Sequence, residues 1–252
     1  MEGNKIFGLR PVLEALNANR NFEKILIRES ADGDLLRRIL SIAKEKNITT
    51  VRAPLERINR LTKNGNHQGI VAFLSSAEYS DLEQILENIN ASGKKALLLL
   101  LDKITDVRNF GAIVRTAECA GVDAVIVPAK NAAPMNVDAM KTSSGALNYV
   151  PVCKVSNLKS AIYLIRSYNI KIFAATEKAD KNYFDADLSG SVAIIMGSEE
   201  SGISKGNLEV SDELVKIPLQ GNIDSLNVSA AAAVVAFECV RQRKGSVKSM
   251  LL

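Results

Sequence analysis

The 252-residue chain has the composition of a globular protein, with 47% hydrophobic and 24% charged residues. Its apolar runs, among them ALLLLL, AIIM and the alanine-rich stretch from Ala230 to Ala236, are far shorter than the ~20 residues that span a bilayer, and the first ten residues lack the apolar segment of a signal peptide. We therefore expect a cytoplasmic protein that does not enter a membrane. The formal net charge of +4 favours an anionic partner only weakly.

The chain has one histidine, His67, and three cysteines, Cys119, Cys153 and Cys239. A single histidine excludes a metal site built on several imidazoles, and a Ser-His-Asp triad would have to use His67. The cysteines lack the paired spacing of zinc ligands, and their apolar surroundings predict three buried free thiols. The sequence therefore predicts no metal site.

Residues 1–76 alternate between helical and strand patterns and predict a small α/β domain. The predicted helices are PVLEALNANR, GDLLRRILSIAKEKN and LERINRLTK, and the predicted strands are EKILIRE, TTVRA and QGIVAFLS. Residues 1–75 carry 13 basic against 8 acidic residues, an excess that suits contact with phosphate, although a solvated helix face gives the same count.

Residues 77–93 are acidic, have room for one short helix, and end in the breakers Asn90, Ser92 and Gly93. We interpret them as a linker between two domains.

Residues 94–252 predict a second, larger α/β domain. Strand patterns recur in ALLLLLD, VDAVIVP, YVPVCKV, KIFAAT, VAIIMGS and LVKIPL. Most of them are apolar throughout, which is typical of parallel strands covered by helices on both faces. The intervening helices include NFGAIVRTAECAG and NLKSAIYLIRSYN, and the final one, NVSAAAAVVAFECVRQRKG, is rich in small residues that favour close packing against the core or a second subunit.

Ligands of such sheets bind in the loops that follow the carboxyl ends of the strands, and three of these loops are polar. GSEESGIS, after VAIIM, has the glycine spacing of a P-loop, but Ile203 stands where the lysine is required and two adjacent glutamates would repel phosphate. No strand runs into GxGxxG, so a dinucleotide cofactor has no support.

The other two loops are QGNIDSLNVS, after LVKIPL, and DKITDVRNFG, after ALLLLL. Ser225 or Asn227 alone would also serve to cap the final helix, and Arg115, six residues after Asn109, would by itself ordinarily be a surface residue. The three polar loops together predict a ligand site without specifying a reaction.

Together, DVRNFGAIVRTAECAG, IIMGSEESGIS and IPLQGNIDSLNVSAAAAVVAFE resemble the three ordered motifs of the SpoU (TrmH-like) RNA ribose methyltransferases, and the resemblance extends over residues 95–243. KIFGLRPVLEAL and NHQGIVA resemble the substrate-binding domain of the subgroup that methylates a guanosine of 23S rRNA, a domain that is similar to an RNA-binding ribosomal protein. Many relatives have proline where Val107 stands and glycine where Glu200 stands, so the details of those two loops differ here.

This resemblance implies an RNA substrate-binding domain at 1–76, a linker at 77–93 and a SPOUT-type methyltransferase domain at 94–252. The parallel sheet of that domain would carry a deep C-terminal trefoil knot, an exception to the general absence of threaded chains. The resemblance also implies S-adenosyl-L-methionine as cofactor, 23S rRNA as the RNA partner, and a homodimer whose interface completes the active site, with neither metal nor membrane.

Site residues follow from the same motifs. The catalytic pocket would be lined by Arg115, Asn109, Glu199, Ser225 and Asn227. The cofactor would be held by Thr176, Met196, Gly197, Gly202, Ile217, Leu219, Leu226 and Asn227. The ribose 2′-oxygen would attack the methyl carbon of a sulfonium, and the family assigns activation of this hydroxyl to Arg115. Because a guanidinium holds its proton tightly, we expect Arg115 to stabilise the developing alkoxide as a cation, with phosphate or water as the final proton acceptor.

Two alternatives remain open at this point. The first is a non-catalytic RNA-binding assembly factor that has kept the fold and lost its activity, since phosphate contact alone gives affinity. The second is a methyltransferase whose substrate is transfer RNA, although the transfer-RNA members of the family commonly have short terminal extensions in place of the first domain.

Overall fold

A computed structural model of the chain describes residues 5–18, 20, 22–74, 79–223 and 225–248, with side chains up to residue 244. The chain forms two compact units, the first mainly within residues 1–78 and the second within residues 79–133 and 138–252. Among the described residues, no helix combines the length and the apolar character needed to cross a membrane.

The first unit is a four-stranded mixed sheet with helices on both faces. Its elements are β1 (Lys5–Phe7), α1 (Leu9–Asn17), β2 (Phe22–Arg28), α2 (Asp34–Glu45), β3 (Thr50–Ala53), α3 (Leu55–Thr62) and β4 (Ile70–Leu74). The strand order is β1-β4-β2-β3, with β4 antiparallel to β1 and β2, and β3 parallel to β2. Val12 and Ile39 of α1 and α2 pack with Ile27 of β2, whereas Ile58 of α3 packs with Val71. The six predicted elements of this unit are confirmed.

The second unit is built on a six-stranded sheet in which every pairing is parallel, in the order β10-β8-β9-β5-β6-β7. Its elements are α4 (Leu82–Ser92), β5 (Leu97–Asp102), α5 (Val107–Ala120), β6 (Ala124–Pro128), α6 (Val137–Thr142), β7 (Val152–Val155), α7 (Leu158–Ser167), β8 (Lys171–Ala175), β9 (Val192–Gly197), α8 (Lys205–Leu208), β10 (Glu213–Val215) and α9 (Val228–Lys248). The predicted parallel α/β fold is confirmed.

Both faces of the central part of this sheet are buried, which explains why most of its strands are apolar along nearly their whole length. On one face Leu98, Leu100 and Ile195 pack with residues of α4 and α7. Their neighbours Leu99 and Ile194 are equally buried and point to the opposite face because side chains alternate along a strand. Helices α5 and α9 pack against each other and against strands of the sheet.

The segment predicted as a linker differs in the structure, because most of it forms α4 of the second unit. Leu82, Leu86 and Ile89 recur at helical spacing and are buried in the core of this unit, whereas Glu83 and Glu87 lie on the exposed side of the same helix. The acidic composition of 77–93 therefore reflects the solvated face of a packed helix.

Helix α9 is fixed at its far end by Arg243. One terminal nitrogen of Arg243 donates to the carbonyl oxygens of Ala96 (2.6 Å) and Gly190 (2.8 Å), just before β5 and β9 begin. Burial lowers the pKa of this guanidinium from its ordinary value. Since Asn227 at the start of α9 lies near the carboxyl ends of the same strands, the helix spans the sheet over ~24 Å, and its small residues Ala232 and Ala236 are fully buried.

The prediction of three buried thiols is wrong for Cys119. Cys153 and Cys239 are buried, and desolvation raises the pKa of each thiol to about 12. Cys119 is exposed on α5, because this helix turns Ile113 and Ala117 towards the core and a residue two positions after Ala117 lies on another side of the helix.

Gly111 allows α5 to approach the residues at the end of α6. A Cβ atom at Gly111 would lie 2.0 Å from Oγ1 of Thr142 and 2.9 Å from the backbone nitrogen of Ser143. We predict that Gly111→Ala lowers the stability of the second unit by about 1–3 kcal/mol, because the packed segment has to shift. Gly206→Ala in α8 is the matched control, since its added methyl meets open space. Denaturant midpoints measure both variants, and equal midpoints would contradict this account of Gly111.

Candidate active site

The site lies where β5 and β9 end side by side, with Asp102 paired in register with Gly197. Asp102 is 4% exposed, and its Oδ2 accepts hydrogen bonds from the backbone N–H of Ser204 (2.7 Å) and from Nδ2 of Asn207 (2.9 Å). A buried carboxylate is stable only when it is hydrogen-bonded in this way. Asp102 thereby ties the loop that follows β9 to the end of β5.

Two glycines allow this loop to fold back on itself. A Cβ atom at Gly197 would lie 2.3 Å from the backbone carbon of Gly202 and from the nitrogen of Ile203, so only glycine fits there. Gly202 has a φ of 61°, in the left-handed region that favours glycine, and its N–H donates to the carbonyl oxygen of Ser198 (2.9 Å). The resulting tight loop presents Glu199 and Glu200 at its tip.

Helices α5 and α9 begin beside this loop, and each has a side-chain cap. Asp106 accepts from the backbone N–H groups of Arg108 and Asn109, both at 2.8 Å. Asn227 accepts from the N–H of Ser229 at 3.0 Å. The capping role considered for Asn227 from the sequence is therefore confirmed, but its side chain does more than cap.

Asn109, Glu199 and Asn227 form a hydrogen-bonded triangle. Nδ2 of Asn227 donates to Oε1 of Glu199 (2.6 Å) and to Oδ1 of Asn109 (2.9 Å), and Nδ2 of Asn109 donates to the same Glu199 oxygen at 3.3 Å. The backbone N–H of Val228, in the first turn of α9, also donates to that oxygen at 3.3 Å. The positive end of a helix dipole favours a carboxylate at this position. Three of the five predicted catalytic residues thus meet.

A cavity of about 380 Å³ lies between this loop, the end of β8 and the segment before α9. It is lined by the predicted cofactor residues Thr176, Met196, Gly197, Gly202, Ile217, Leu219 and Leu226, and by Ser225. Asn227 is not part of its lining. The lining also contains the charged residues Glu177 and Lys178, which follow Thr176 in the loop after β8 and were not among the predicted site residues.

A second cavity of about 300 Å³ adjoins the first on the side of α5. The two share Val228 and the loop residues 198–201, including Glu199. The second cavity is otherwise lined by Asn109, Asn131 and the residues 103–106 that connect β5 to α5. Of these residues the sequence predicted only Asn109. Asp106 opens the same motif but was assigned no role, and residues 103–105 and Asn131 lie outside the matched segments.

Arg115 is not brought to either cavity of its own chain. It is exposed on α5, six residues and therefore ~9 Å along the helix axis beyond Asn109, and it lines neither cavity. A residue six positions later points to a different side of the helix, which is why the spacing alone could not place it.

Comparison with known proteins accounts for both units. The family model described as "SpoU rRNA Methylase family" matches residues 96–237, and one described as "RNA 2'-O ribose methyltransferase substrate binding" matches residues 5–80. The 23S rRNA (guanosine-2'-O-)-methyltransferase RlmB of a Burkholderia species is 38% identical over 82% of this chain and 83% of its own length. The protein of the same name from Vibrio vulnificus is 34% identical over 98% of this chain and 100% of its own.

Among solved structures, the SpoU methyltransferase AviRb from Streptomyces viridochromogenes, in complex with AdoMet, aligns with a TM-score of 0.61. That alignment covers 96% of this chain and 90% of the AviRb chain at 23% sequence identity, and it confirms the fold. The chain belongs to the SpoU rRNA methylase family, as the motifs predicted.

We predict that Asp102→Asn loosens the loop after β9. The variant replaces one carboxylate oxygen by an amide, so the charge-assisted bonds to Ser204 and Asn207 are lost or weakened. Since such a bond contributes about 1.5–3 kcal/mol, the Ser204 amide should exchange its hydrogen roughly 10- to 100-fold faster, as measured by native-state hydrogen exchange.

Asp123 supplies the matched control for Asp102. Its Oδ2 accepts from the N–H of Leu97 (2.9 Å) at the opposite end of β5, so Asp123→Asn should accelerate exchange at Leu97 and leave Ser204 unchanged. Unaltered exchange at Ser204 in Asp102→Asn would show that Asp102 does not anchor the loop.

Proposed function

We propose that this protein transfers a methyl group from S-adenosylmethionine to a ribose 2′-hydroxyl of RNA, with a guanosine of 23S rRNA as the target. The observation that carries this proposal is a pair of adjoining cavities with Glu199 in their shared wall, held there by Asn109 and Asn227. The relatives named 23S rRNA (guanosine-2'-O-)-methyltransferase support the choice of RNA and nucleoside.

The first cavity fits the cofactor in size and chemistry. Its volume falls in the range of small-molecule sites. The apolar residues Met196, Ile217 and Leu226 suit an adenine ring. Lys178 and Glu177 lie in the same lining and carry the charges that complement a carboxylate and an ammonium group.

When bound, the cofactor supplies an electrophilic methyl group on a positively charged sulfur. The chain's own residues orient the nucleophile towards it. Asn109 and Glu199 line the second cavity, so we assign them to hold the target ribose, and the hydrogen bonds of Asn227 fix both side chains in place. Holding two reactants in this way is worth several orders of magnitude in rate. Ser225 lines the first cavity and is assigned to orient the bound cofactor beside the hydroxyl.

We assign stabilisation of the developing alkoxide to Arg115 of a second subunit. Arg115 is exposed on α5 and lines neither cavity of its own chain, so a homodimer is the arrangement that would bring this cation to the second cavity. A guanidinium there would lower the energy of the developing alkoxide, while phosphate or water accepts the proton that the hydroxyl loses. Phe237, a large apolar side chain 46% exposed on the neighbouring helix α9, is consistent with a covered surface.

Three further features are part of the proposal. The first is the trefoil knot that the motifs of the family imply for residues 94–252. The displacement needs no metal ion. We also propose a cytoplasmic location, which suits a ribosomal RNA substrate.

Transfer of label tests the activity. We expect unmodified 23S rRNA transcript to gain label from S-adenosylmethionine that carries a labelled methyl group, at one guanosine mapped by reverse-transcription stops. Gly197→Ala is the control, because its methyl would collide with the backbone at Gly202 and should abolish cofactor binding. RNA binding without cofactor binding by calorimetry would instead identify an assembly factor, and label in transfer RNA alone would identify the other substrate.

We predict that Arg115→Ala lowers kcat by about 10²- to 10³-fold, as loss of an alkoxide-stabilising donor does. Cofactor affinity should stay unchanged, since Arg115 does not line the first cavity. Steady-state kinetics and calorimetry measure the two quantities. Near-full turnover by this variant would remove the role assigned to Arg115.

Mixing two inactive variants tests whether Arg115 acts across a dimer. We expect Arg115→Ala and Glu199→Ala to be inactive separately, because each disrupts every site of its own homodimer. In a mixed dimer one site would combine an intact Glu199 with an intact Arg115 from the other subunit. Random exchange in an equal mixture should therefore restore about one quarter of wild-type activity. No recovery in mixtures shown to exchange subunits would place Arg115 in its own chain's site.

A further inference from the structure

Lys103 has an unusual backbone conformation at the edge of the second cavity. Its φ is 61°, in the left-handed region that residues with a side chain other than asparagine or aspartate rarely enter. Asn131, which lines the same cavity, has a φ of 57°. Such conformations persist where the surrounding structure enforces them, and they cluster at functional sites.

The other left-handed residues described in the second unit, glycine apart, are Ser144 and Asn169. They follow α6 and α7, where a left-handed residue is a common way to end a helix. Lys103 follows a strand instead, so helix termination does not explain its conformation.

The neighbours of Lys103 hold it in this position. Ile104 is 4% exposed, and its carbonyl oxygen accepts from the N–H of Ala133 at 2.8 Å. Asp102 is fixed by Ser204 on the other side. With both flanking residues anchored, the left-handed turn holds Lys103 in the lining of the second cavity.

Of the described residues that line this cavity, Lys103 is the only basic one, beside Asp106, Glu199 and Glu200. The carboxylates of Asp106 and Glu199 accept hydrogen bonds from backbone or amide groups. Among the described residues Lys103 has no hydrogen-bond or ion-pair partner. An RNA phosphate that enters a cavity with three carboxylates needs a cation close by, since like charges repel strongly at short range.

We propose that Lys103 is an RNA-binding residue of the active site, whose ammonium group binds the phosphate next to the target ribose in the second cavity. This inference rests on the proposed function and adds to it a residue that binds the phosphate beside the target ribose. A lysine binds phosphate as a point charge without reading the base. Its contribution should therefore be the same whichever nucleotides flank the target.

Kinetics with 23S rRNA transcript test the inference on Lys103→Met, Lys103→Arg and the control Lys95→Met. Lys95 is exposed just before β5, eight residues and therefore roughly 26 Å from Lys103 along the extended chain, so its loss changes net charge equally and leaves the cavity intact. We expect Lys103→Met to raise KM and Kd for RNA about tenfold, as loss of one charged hydrogen bond does. The dependence of log Kd on log salt should fall by roughly 0.7–0.9, the contribution of one phosphate contact.

Changes confined to RNA binding separate this role from a structural one. We expect the kcat and the cofactor affinity of Lys103→Met to stay within about twofold of wild type. Lys103→Arg should retain most of the wild-type RNA affinity, because it keeps the positive charge. Lys95→Met should match wild type in all of these quantities. Glycine suits the left-handed conformation, so Lys103→Gly should be at least as stable as wild type. Its RNA affinity should nevertheless be as low as that of Lys103→Met.

Wild-type KM, Kd and salt dependence in Lys103→Met would overturn the inference while leaving the methyltransferase proposal intact. Absence of methyl transfer by the wild-type protein would overturn the proposed function instead. The RNA Kd of Lys103→Met would still decide the role of Lys103 in that case, because it does not depend on turnover.

Discussion

The paired ends of β5 and β9 are the constraint on which the rest of the site depends. Because Asp102 and Gly197 are partners in a parallel ladder, the loops that leave these two strands start at the same height on the same edge of the sheet. The β5 loop leads to the start of α5 and the β9 loop doubles back over Gly197. A shift of one residue in this register would move Glu199 away from Asn109 and turn each side chain to the other face.

The triangle of Asn109, Glu199 and Asn227 turns that edge into a defined site, because its hydrogen bonds specify the orientation of each amide. Asn227 uses its oxygen to cap α9 and its nitrogen to contact Glu199 and Asn109. A flipped amide would lose all three contacts at once. The start of α9 is therefore fixed by the same residue that orients the site, while Arg243 fixes its other end. Helix α9 is therefore held at both ends of the strands, by Asn227 at their carboxyl ends and by Arg243 at their amino ends.

Sequence patterns predicted most of the fold because the second unit's strands are buried on both faces, and the family motifs supplied the residues around the first cavity. The misses have physical causes. β1 has three residues, too few for an alternating pattern, and is stable only by pairing with β4. The acidic residues on the solvated face of α4 led to the prediction of a linker, although Leu82, Leu86 and Ile89 of the same helix are buried. The conformation of Lys103 depends on anchors at Asp102 and Ile104, whose partners Ser204 and Ala133 are distant in sequence.

The charges of the site explain why RNA affinity has to come from more than one surface. The described linings of the two cavities contain four acidic residues, Glu177, Glu199, Glu200 and Asp106, and two basic residues, Lys178 and Lys103. Carboxylates therefore outnumber lysines there. Such a site suits a sulfonium cofactor, since negative charge attracts a cation, but it repels a polyanion. An enzyme of this kind needs cations from elsewhere to retain its substrate, and the basic excess of residues 1–75, in the unit that matches a substrate-binding family, is where this chain carries them.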